Sequence, residues 1–200
     1  MTAARLEKRE IVFTGFGGQG IVLIGSIVGR AAAIGDHRES TLVQSYGPES
    51  RGGFCSAQVI VSPDPIRYPY VRRPDILVAM SQSGFEKFAG AADARTLLLF
   101  EQDLVRPGAC TLECYSIPAT RMAEEMGRKM IANIVMLGFF ASVARVISRK
   151  AAEDAVTAIV PKGTEELNLK AFTRGWDYGI ATLKARDKKR RSERGHADES

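Results

Sequence analysis

The pattern of apolar and polar residues predicts strands that alternate with helices over the first part of the chain. Short apolar runs bounded by turn residues are typical of strands. Residues from Gly18 to about Ile34, and again over Ser83–Ala89, are instead apolar at helical spacing. This alternation predicts an α/β fold, a single Rossmann-like doubly wound domain with a mixed, mostly parallel sheet. The predicted strands are Glu10–Thr14, Ser40–Gln44, Phe54–Ser62, Asp75–Met80, Thr96–Phe100 and Thr111–Tyr115.

From Pro118 onward the pattern becomes helical, so we expect a helical C-terminal part. Met130–Ile147 is almost continuously apolar, but Asn133 and Arg145 within it argue against a membrane span. Such a helix is buried between other elements or against another subunit. Since an unpaired buried amide costs about 1–3 kcal/mol, Asn133 is expected to have a hydrogen-bond partner. A closing helix is predicted from Glu165 to about Arg186, interrupted by Gly175.

The net charge of +5 lies mostly at the C-terminus. Residues 184–200 hold seven basic and four acidic side chains, whereas 11–183 carry a net charge of only +1. This divides the chain into a charged extension (1–9), one domain (10–184) and a basic tail of disordered composition (185–200). The tail could instead be an electrostatic arm, but it has no aromatic residue on which a base could stack, so we expect no nucleic-acid partner.

The cysteines and the N-terminus indicate a cytoplasmic protein. Three cysteines without a C-x-x-C pair suit a reducing compartment, and the first ten residues contain no apolar signal segment. The cysteines and two histidines are too few and too scattered for a metal cluster, so no metal site is predicted in this chain.

A glycine-rich loop follows the first predicted strand. Gly15, Phe16, Gly17, Gly18, Gln19 and Gly20 fit the G-x-G-x-x-G spacing, between a strand and a helix. Glycines let the backbone approach a ligand, and the following helix start favours an anion. The loop therefore predicts a phosphate-bearing ligand. The alternative is that its glycines only let the helix pack on the strand.

The chemistry beyond that loop is incomplete for a self-standing enzyme. His37 lies in a predicted turn and His196 in the tail, so neither is placed as a general base. The acidic residue expected about twenty positions after the loop should end the second strand, but Glu39 precedes it. An NAD-binding interpretation is therefore weakened, and no catalytic residue is predicted in this chain.

Five blocks of sequence stand out together by their order and spacing: Gly15–Gly20, Ser45–Gly53, Arg73–Met80, Asn133–Gly138 and the late Asn168…Ala171-Phe172…Gly175. They resemble the gamma subunit of 2-oxoacid:ferredoxin oxidoreductases, and the second block is most similar to the 2-oxoglutarate type. The likeness runs from about residue 10 to 182. The small subunit of an indolepyruvate oxidoreductase is an alternative, since it shares the fold and the glycine loop but usually differs in the second block.

The resemblance implies a complex that converts a 2-oxoacid and coenzyme A to acyl-CoA and carbon dioxide while reducing ferredoxin. It places thiamine diphosphate, magnesium and iron–sulfur clusters on partner alpha and beta subunits. It also implies that this chain supports assembly and binds part of coenzyme A. Ser45 and Arg51 are candidate binding residues beside the glycine loop. A self-standing nucleotide-binding reductase remains the alternative of a different class.

Overall fold

The computed structural model describes residues 7–47, 53–109 and 111–197, with the last seven of these as backbone only. Six strands lie in the first two thirds of the chain: β1 (Arg9–Phe16), β2 (Glu39–Tyr46), β3 (Phe54–Ser62), β4 (Ile76–Ala79), β5 (Leu97–Glu101) and β6 (Glu113–Ile117). The helices are α1 (Ile21–Arg30), α2 (Gln82–Ala89), α3 (Ala119–Glu125), α4 (Ala132–Ala144), α5 (Arg149–Ile159) and α6 (Glu165–Ala197). A π-helical turn over Ala31–Gly35 extends α1, and a 3₁₀ turn over Lys129–Ile131 precedes α4.

The six strands form one sheet in the order β2-β3-β1-β4-β5-β6. β1, β4, β5 and β6 are mutually parallel, and β3 runs antiparallel to its neighbours β1 and β2. The expected mixed, mostly parallel sheet is confirmed. Because α1 leaves β1 toward one face and α2 leaves β4 toward the other, the chain switches sides between these two adjacent strands.

One face of the sheet carries most of the core. Alternate residues of β1, such as Ile11 and Phe13, are fully buried against helices α1, α3, α4 and α5. Phe13 meets Phe140 of α4 edge to face, with ring centroids 5.1 Å apart. α4 is buried on nearly its whole circumference, which confirms the expectation of a buried helix. Within the described residues, no helix is long and apolar enough to cross a membrane.

Helices α4 and α6 cross at unusually short range through glycine. A Cβ atom on Gly138 would lie 2.0 Å from the carbonyl oxygen of Phe172, and one on Gly175 would lie 1.9 Å from that of Val135. Neither backbone can yield without separating the helices. The prediction that Gly175 interrupts the closing helix is therefore wrong, since α6 passes through it unbroken and uses it for packing.

The opposite face is thinly covered. A small cluster of buried apolar residues lies there beneath α2: Val12, Leu77, Ala79, Phe85, Leu98 and Val105. The remaining cover includes residues 66–73, which we call the strap, tied down where the Val71 N–H donates to Gln58 Oε1 (2.9 Å). The layer of helices on one face of the sheet is thus much thicker than the cover on the other face, which we call the thin face.

The end of the chain differs from its prediction. α6 does not stop near Arg186 but continues as helical backbone to Ala197. The segment from Lys184 to Arg194 consists mainly of lysine, arginine, alanine and glutamate, which have high helix propensity, and contains no proline. These residues extend a helix that has already been started by packing on α4.

Candidate anion-binding site

The glycine loop joins β1 to α1 through two residues in left-handed backbone conformations. Gly18 has φ +96° and Gly20, the N-cap of α1, has φ +71°. A side chain is strained in this region, so glycine is required by the turn itself. A Cβ on Gly18 would meet no described atom within 4 Å, so no described residue blocks the approach of a ligand there.

Backbone donors at the start of α1 face the space beyond the loop. The first hydrogen bond into the helix runs from Ile24 N–H to the Gly20 oxygen (3.1 Å). The amides of Ile21, Val22 and Leu23 have no acceptor among the described residues. No side chain caps this helix, and Gly20 cannot supply a side-chain cap. Free amides together with the positive end of the helix dipole suit an anion.

Gln19 secures the loop to the sheet. Its side-chain oxygen accepts from Phe16 N–H (2.7 Å), and its side-chain nitrogen donates to the Met80 carbonyl at the end of β4 (3.0 Å). These bonds span the position between β1 and β4 where the chain changes faces, the usual place for a ligand in an open α/β sheet. Gln19 thus acts as a strut that holds the loop in shape. Gly15 leaves the space that this side chain and Ile21 fill.

A cavity of about 490 Å³ lies on the helical side of the loop. Three helix starts meet there, those of α1, α4 and α6. The walls are largely apolar, and the polar lining residues come from the glycine loop, the turn before α4 and the starts of α4 and α6. The lining residues that matter most below are Gly18, Gly20, Arg128, Lys129, Asn133 and Asn168.

Two buried asparagines shape the polar wall of this cavity. Asn133 is 4% exposed; its side-chain nitrogen lies 3.4 Å from the Gly20 oxygen, and its side-chain oxygen accepts from Ile134 N–H. The expected hydrogen-bond partner of Asn133 is therefore confirmed. Asn168 donates to both oxygens of Thr164 at the start of α6. Its own side-chain oxygen has no donor among the described residues, and the residue lines the cavity.

The rim of the cavity is basic. Arg128 and Lys129 stand in the turn before α4, and both are exposed. Lys129 pairs with Glu124 at 3.4 Å, whereas Arg128 forms no ion pair with any described residue. Because no carboxylate lines the cavity in the described part of the chain, the rim and the helix starts together favour a ligand that carries negative charge.

Among the described residues of the second predicted block, Ser45–Gly53, it is Gly53 that contacts the glycine loop. The Gly17 N–H donates to the Gly53 carbonyl (2.8 Å), so the β2–β3 connection does adjoin the glycine loop. Ser45 is exposed and pairs in register with Ser56. One strand separates it from β1, which corresponds to about 10 Å. Arg51 lies outside the described residues, so its place in the site stays a prediction.

Glu39 lies at the wrong end of its strand for nucleotide binding. It begins β2 opposite Ser62, whereas the glycine loop follows the far end of β1. Along an eight-residue strand this amounts to roughly 20 Å. The position of Glu39 therefore argues further against an NAD-type ribose contact.

The basic rim of the cavity and its wall at the start of α6 were not predicted from the sequence. Arg128 and Lys129 were indistinguishable from any solvated basic pair, and Thr164 from any helix start. The available signal was Asn168, a polar residue that belongs to one of the five sequence blocks and is buried in the structure. Neither of the two described cysteines, Cys55 and Cys114, lines the cavity, and burial raises the pKa of the Cys55 thiol. No group of metal-binding side chains occurs among the residues described.

The sequence as a whole decides the family. Residues 10–178 match the family described as pyruvate ferredoxin/flavodoxin oxidoreductase. The chain belongs to this family. It is 44% identical to the 2-oxoglutarate synthase subunit KorC of Methanocaldococcus jannaschii over 174 residues, which cover 85% of this chain and 93% of that protein. It is 40% identical to the KorC subunit of Methanothermobacter marburgensis over 84% of this chain and 95% of that protein.

Solved structures agree with this assignment. The gamma subunit of a keto/oxoacid ferredoxin oxidoreductase from Geobacter sulfurreducens superimposes with a TM-score of 0.76 and 36% identity, over 86% of this chain and 99% of that one. A 2-oxoglutarate:ferredoxin oxidoreductase from Magnetococcus marinus superimposes with a TM-score of 0.80 and 21% identity. The match covers 88% of this chain but 31% of that one, and it shows that the two share a fold. The gamma-subunit resemblance of the sequence blocks is confirmed.

Proposed function

We propose that this chain is the gamma subunit of a 2-oxoglutarate:ferredoxin oxidoreductase, where it supports assembly and binds coenzyme A. The observation that carries the second part is the juxtaposition of free amides at the start of α1 with a largely apolar, basic-rimmed cavity of about 490 Å³. The names of the related proteins support the first part.

Coenzyme A suits this arrangement because it is both strongly anionic and long. Its pyrophosphate fits the amides of the glycine loop, as in other helix-start sites. A further phosphate fits the rim at Arg128, whose guanidinium can bind it with two parallel hydrogen bonds. The apolar walls of the cavity accommodate an uncharged part of the molecule, and Asn133 and Asn168 supply the few polar groups typical of ligand sites.

The proposed reaction is shared among subunits. The 2-oxoacid loses carbon dioxide, its acyl group is transferred to the sulfur of coenzyme A, and two electrons leave to ferredoxin with release of a proton. Alpha and beta subunits would hold thiamine diphosphate, magnesium and iron–sulfur clusters, in a reducing cytoplasm. This chain contributes by holding one substrate at an edge where another subunit can meet it.

Ser45 and Arg51 extend the proposed site toward the β2–β3 connection. Arg51 is six residues after Ser45 and two before Gly53, whose carbonyl is bonded to the glycine loop. We expect Arg51→Ala in the assembled complex to raise the Michaelis constant for coenzyme A about ten- to a hundredfold, the loss of one charge-assisted hydrogen bond. An unchanged constant with intact assembly removes Arg51 from the site, and a loss of assembly makes it an interface residue.

Reconstitution tests the proposed function as a whole. The complex is purified with and without this chain, and 2-oxoglutarate-dependent reduction of ferredoxin is followed while coenzyme A is varied. We expect activity only with the chain present, and no activity from the chain alone. A colourless monomer that binds NADPH, or full activity without the chain, would overturn the proposal in favour of a self-standing reductase or a dispensable subunit.

A further inference from the structure

The strap, residues 66–73, presents a compact group of tyrosine and arginine side chains on the thin face of the sheet. Arg67, Arg72 and Arg73 are exposed, and Tyr68 and Tyr70 are 49% and 51% exposed. The strap contains no acidic residue, so it carries a charge of +3 over eight positions. Tyrosine and arginine are the residues that interfaces favour and that dominate their binding energy.

These side chains are arranged in advance of any binding partner. The rings of Tyr68 and Tyr70 lie 5.5 Å apart, and the Arg72 guanidinium lies 4.9 Å from the centre of the Tyr68 ring. Pro69 separates the two tyrosines, and Val71 fastens the backbone to β3. Proline and the packed rings reduce the conformational freedom that binding would otherwise remove.

Unlike several other surface arginines, those of the strap form no ion pair with a described residue, although Arg73 lies near enough to Asp93 to help the hydrogen bonds from Arg95 lower the pKa of that carboxyl. Arg95, Arg121 and Arg174 are each paired with a carboxylate on the same chain, those of Asp93, Asp103 and Glu125. No ion pair with a described residue forms at Arg67, Arg72 or Arg73. A guanidinium binds a carboxylate through two parallel hydrogen bonds, so an acidic surface is the natural complement.

We infer that the strap is the docking surface for a carboxylate-rich face of another subunit of the complex, an inference that rests on the proposed function. A protein fits better than a nucleic acid because the Tyr68 ring is already engaged by Tyr70 and Arg72 and does not offer free faces to bases. Docking there leaves the cavity, on the other side of the sheet, open to its ligand.

Charge reversal tests the inference with a matched control. The test variant is Arg67→Glu with Arg72→Glu; the control is Arg30→Glu with Lys184→Glu, which changes the charge equally at exposed positions away from the strap. Each chain is titrated into the remaining subunits of the complex at low and moderate salt. We expect the strap variant to bind about a hundredfold more weakly and the control to change less than about threefold. The wild-type affinity should fall as salt is added.

The outcomes separate the inference from the function on which it rests. A folded strap variant that assembles like the control overturns the inference alone, and so does one that assembles normally but loses binding to RNA. A wild-type chain that never joins the other subunits overturns the proposed function and the inference together. Thermal unfolding and coenzyme A titration of the isolated strap variant show whether its fold is intact. If the strap variant does not fold, Tyr70→Ala replaces it in the test, and we expect this change to weaken assembly about tenfold.

Discussion

The two faces of the sheet differ in how their strands are covered and in what the cover leaves exposed. On the helical face, the starts of α1, α4 and α6 converge around a largely apolar cavity, and the amides at the start of α1 have no described acceptor. On the thin face, α2 and the strap leave exposed tyrosine and arginine side chains instead. We propose that a small ligand binds in the cavity of the helical face and that another subunit docks on the exposed strap of the thin face.

The largest effect is expected where the helical face is most tightly packed. Gly175→Ala places a methyl group into the backbone of α4, so the helices must move apart, and we expect the free energy of unfolding to fall by about 3 kcal/mol. Gly90→Ala is the control, because a Cβ there meets no described atom. Denaturant unfolding of both variants measures the difference. Equal stability of the two would mean that the α4–α6 crossing is less tight than described.

A smaller loss of stability is expected where the glycine loop meets Asn133 at the wall of the cavity. A Cβ on Gly20 would lie 2.1 Å from the Asn133 side-chain nitrogen, in a backbone conformation that strains any side chain. We expect Gly20→Ala to cost about 2 kcal/mol of stability. In an Asn133→Ala background the clash is gone, so the same change should cost only about 1 kcal/mol. Additive costs in this double-mutant cycle would show that the two residues are not in contact.

A substitution at the rim of the cavity should weaken ligand binding and leave the stability of the fold unchanged. Arg128→Ala removes an exposed guanidinium with no ion pair, so we expect the Kd for coenzyme A to rise about tenfold or more with unchanged stability. Arg121→Ala is a suitable control, since its side chain pairs with Asp103 away from the cavity. Calorimetric titration distinguishes the two. Equal weakening by both variants would point to general electrostatic attraction instead of a site.

The smallest effect belongs to the thin face and depends on pH. Hydrogen bonds from the Arg95 side chain and backbone lower the pKa of Asp93, in the connection between α2 and β5. A lowered pKa in the folded state stabilises the protein above the ordinary aspartate pKa of about 4. This contribution is lost as the pH falls through the lowered value. Asp93→Asn should therefore be slightly less stable at neutral pH and show a shallower loss of stability in acid. An identical acid profile would show that this surface pair contributes nothing.

The elements of the fold could be predicted because each has a local cause. The buried strands are continuous apolar runs, and Gly15–Gly20 needs glycine for its backbone turn whatever the ligand. The close crossing of α4 and α6 could not be predicted, since Gly175 looks the same in a sequence whether it breaks a helix or admits a neighbour. Arg128 and Asn168 are forty positions apart in the sequence, and they reach one cavity only after α4 and α5 between them have folded. A site assembled from distant helix starts has no local pattern.

The central claim is that coenzyme A is held at the open face of the glycine loop, and Gly18 tests it most directly. Gly18→Ala and Gly108→Ala both place a methyl group where no described atom lies within 4 Å, at residues with positive φ angles of +96° and +65°. Coenzyme A is titrated into the assembled complex with each variant. We predict that Gly18→Ala raises the Kd about tenfold or more, while Gly108→Ala changes it less than about twofold. Equal affinity of the two variants would contradict the account.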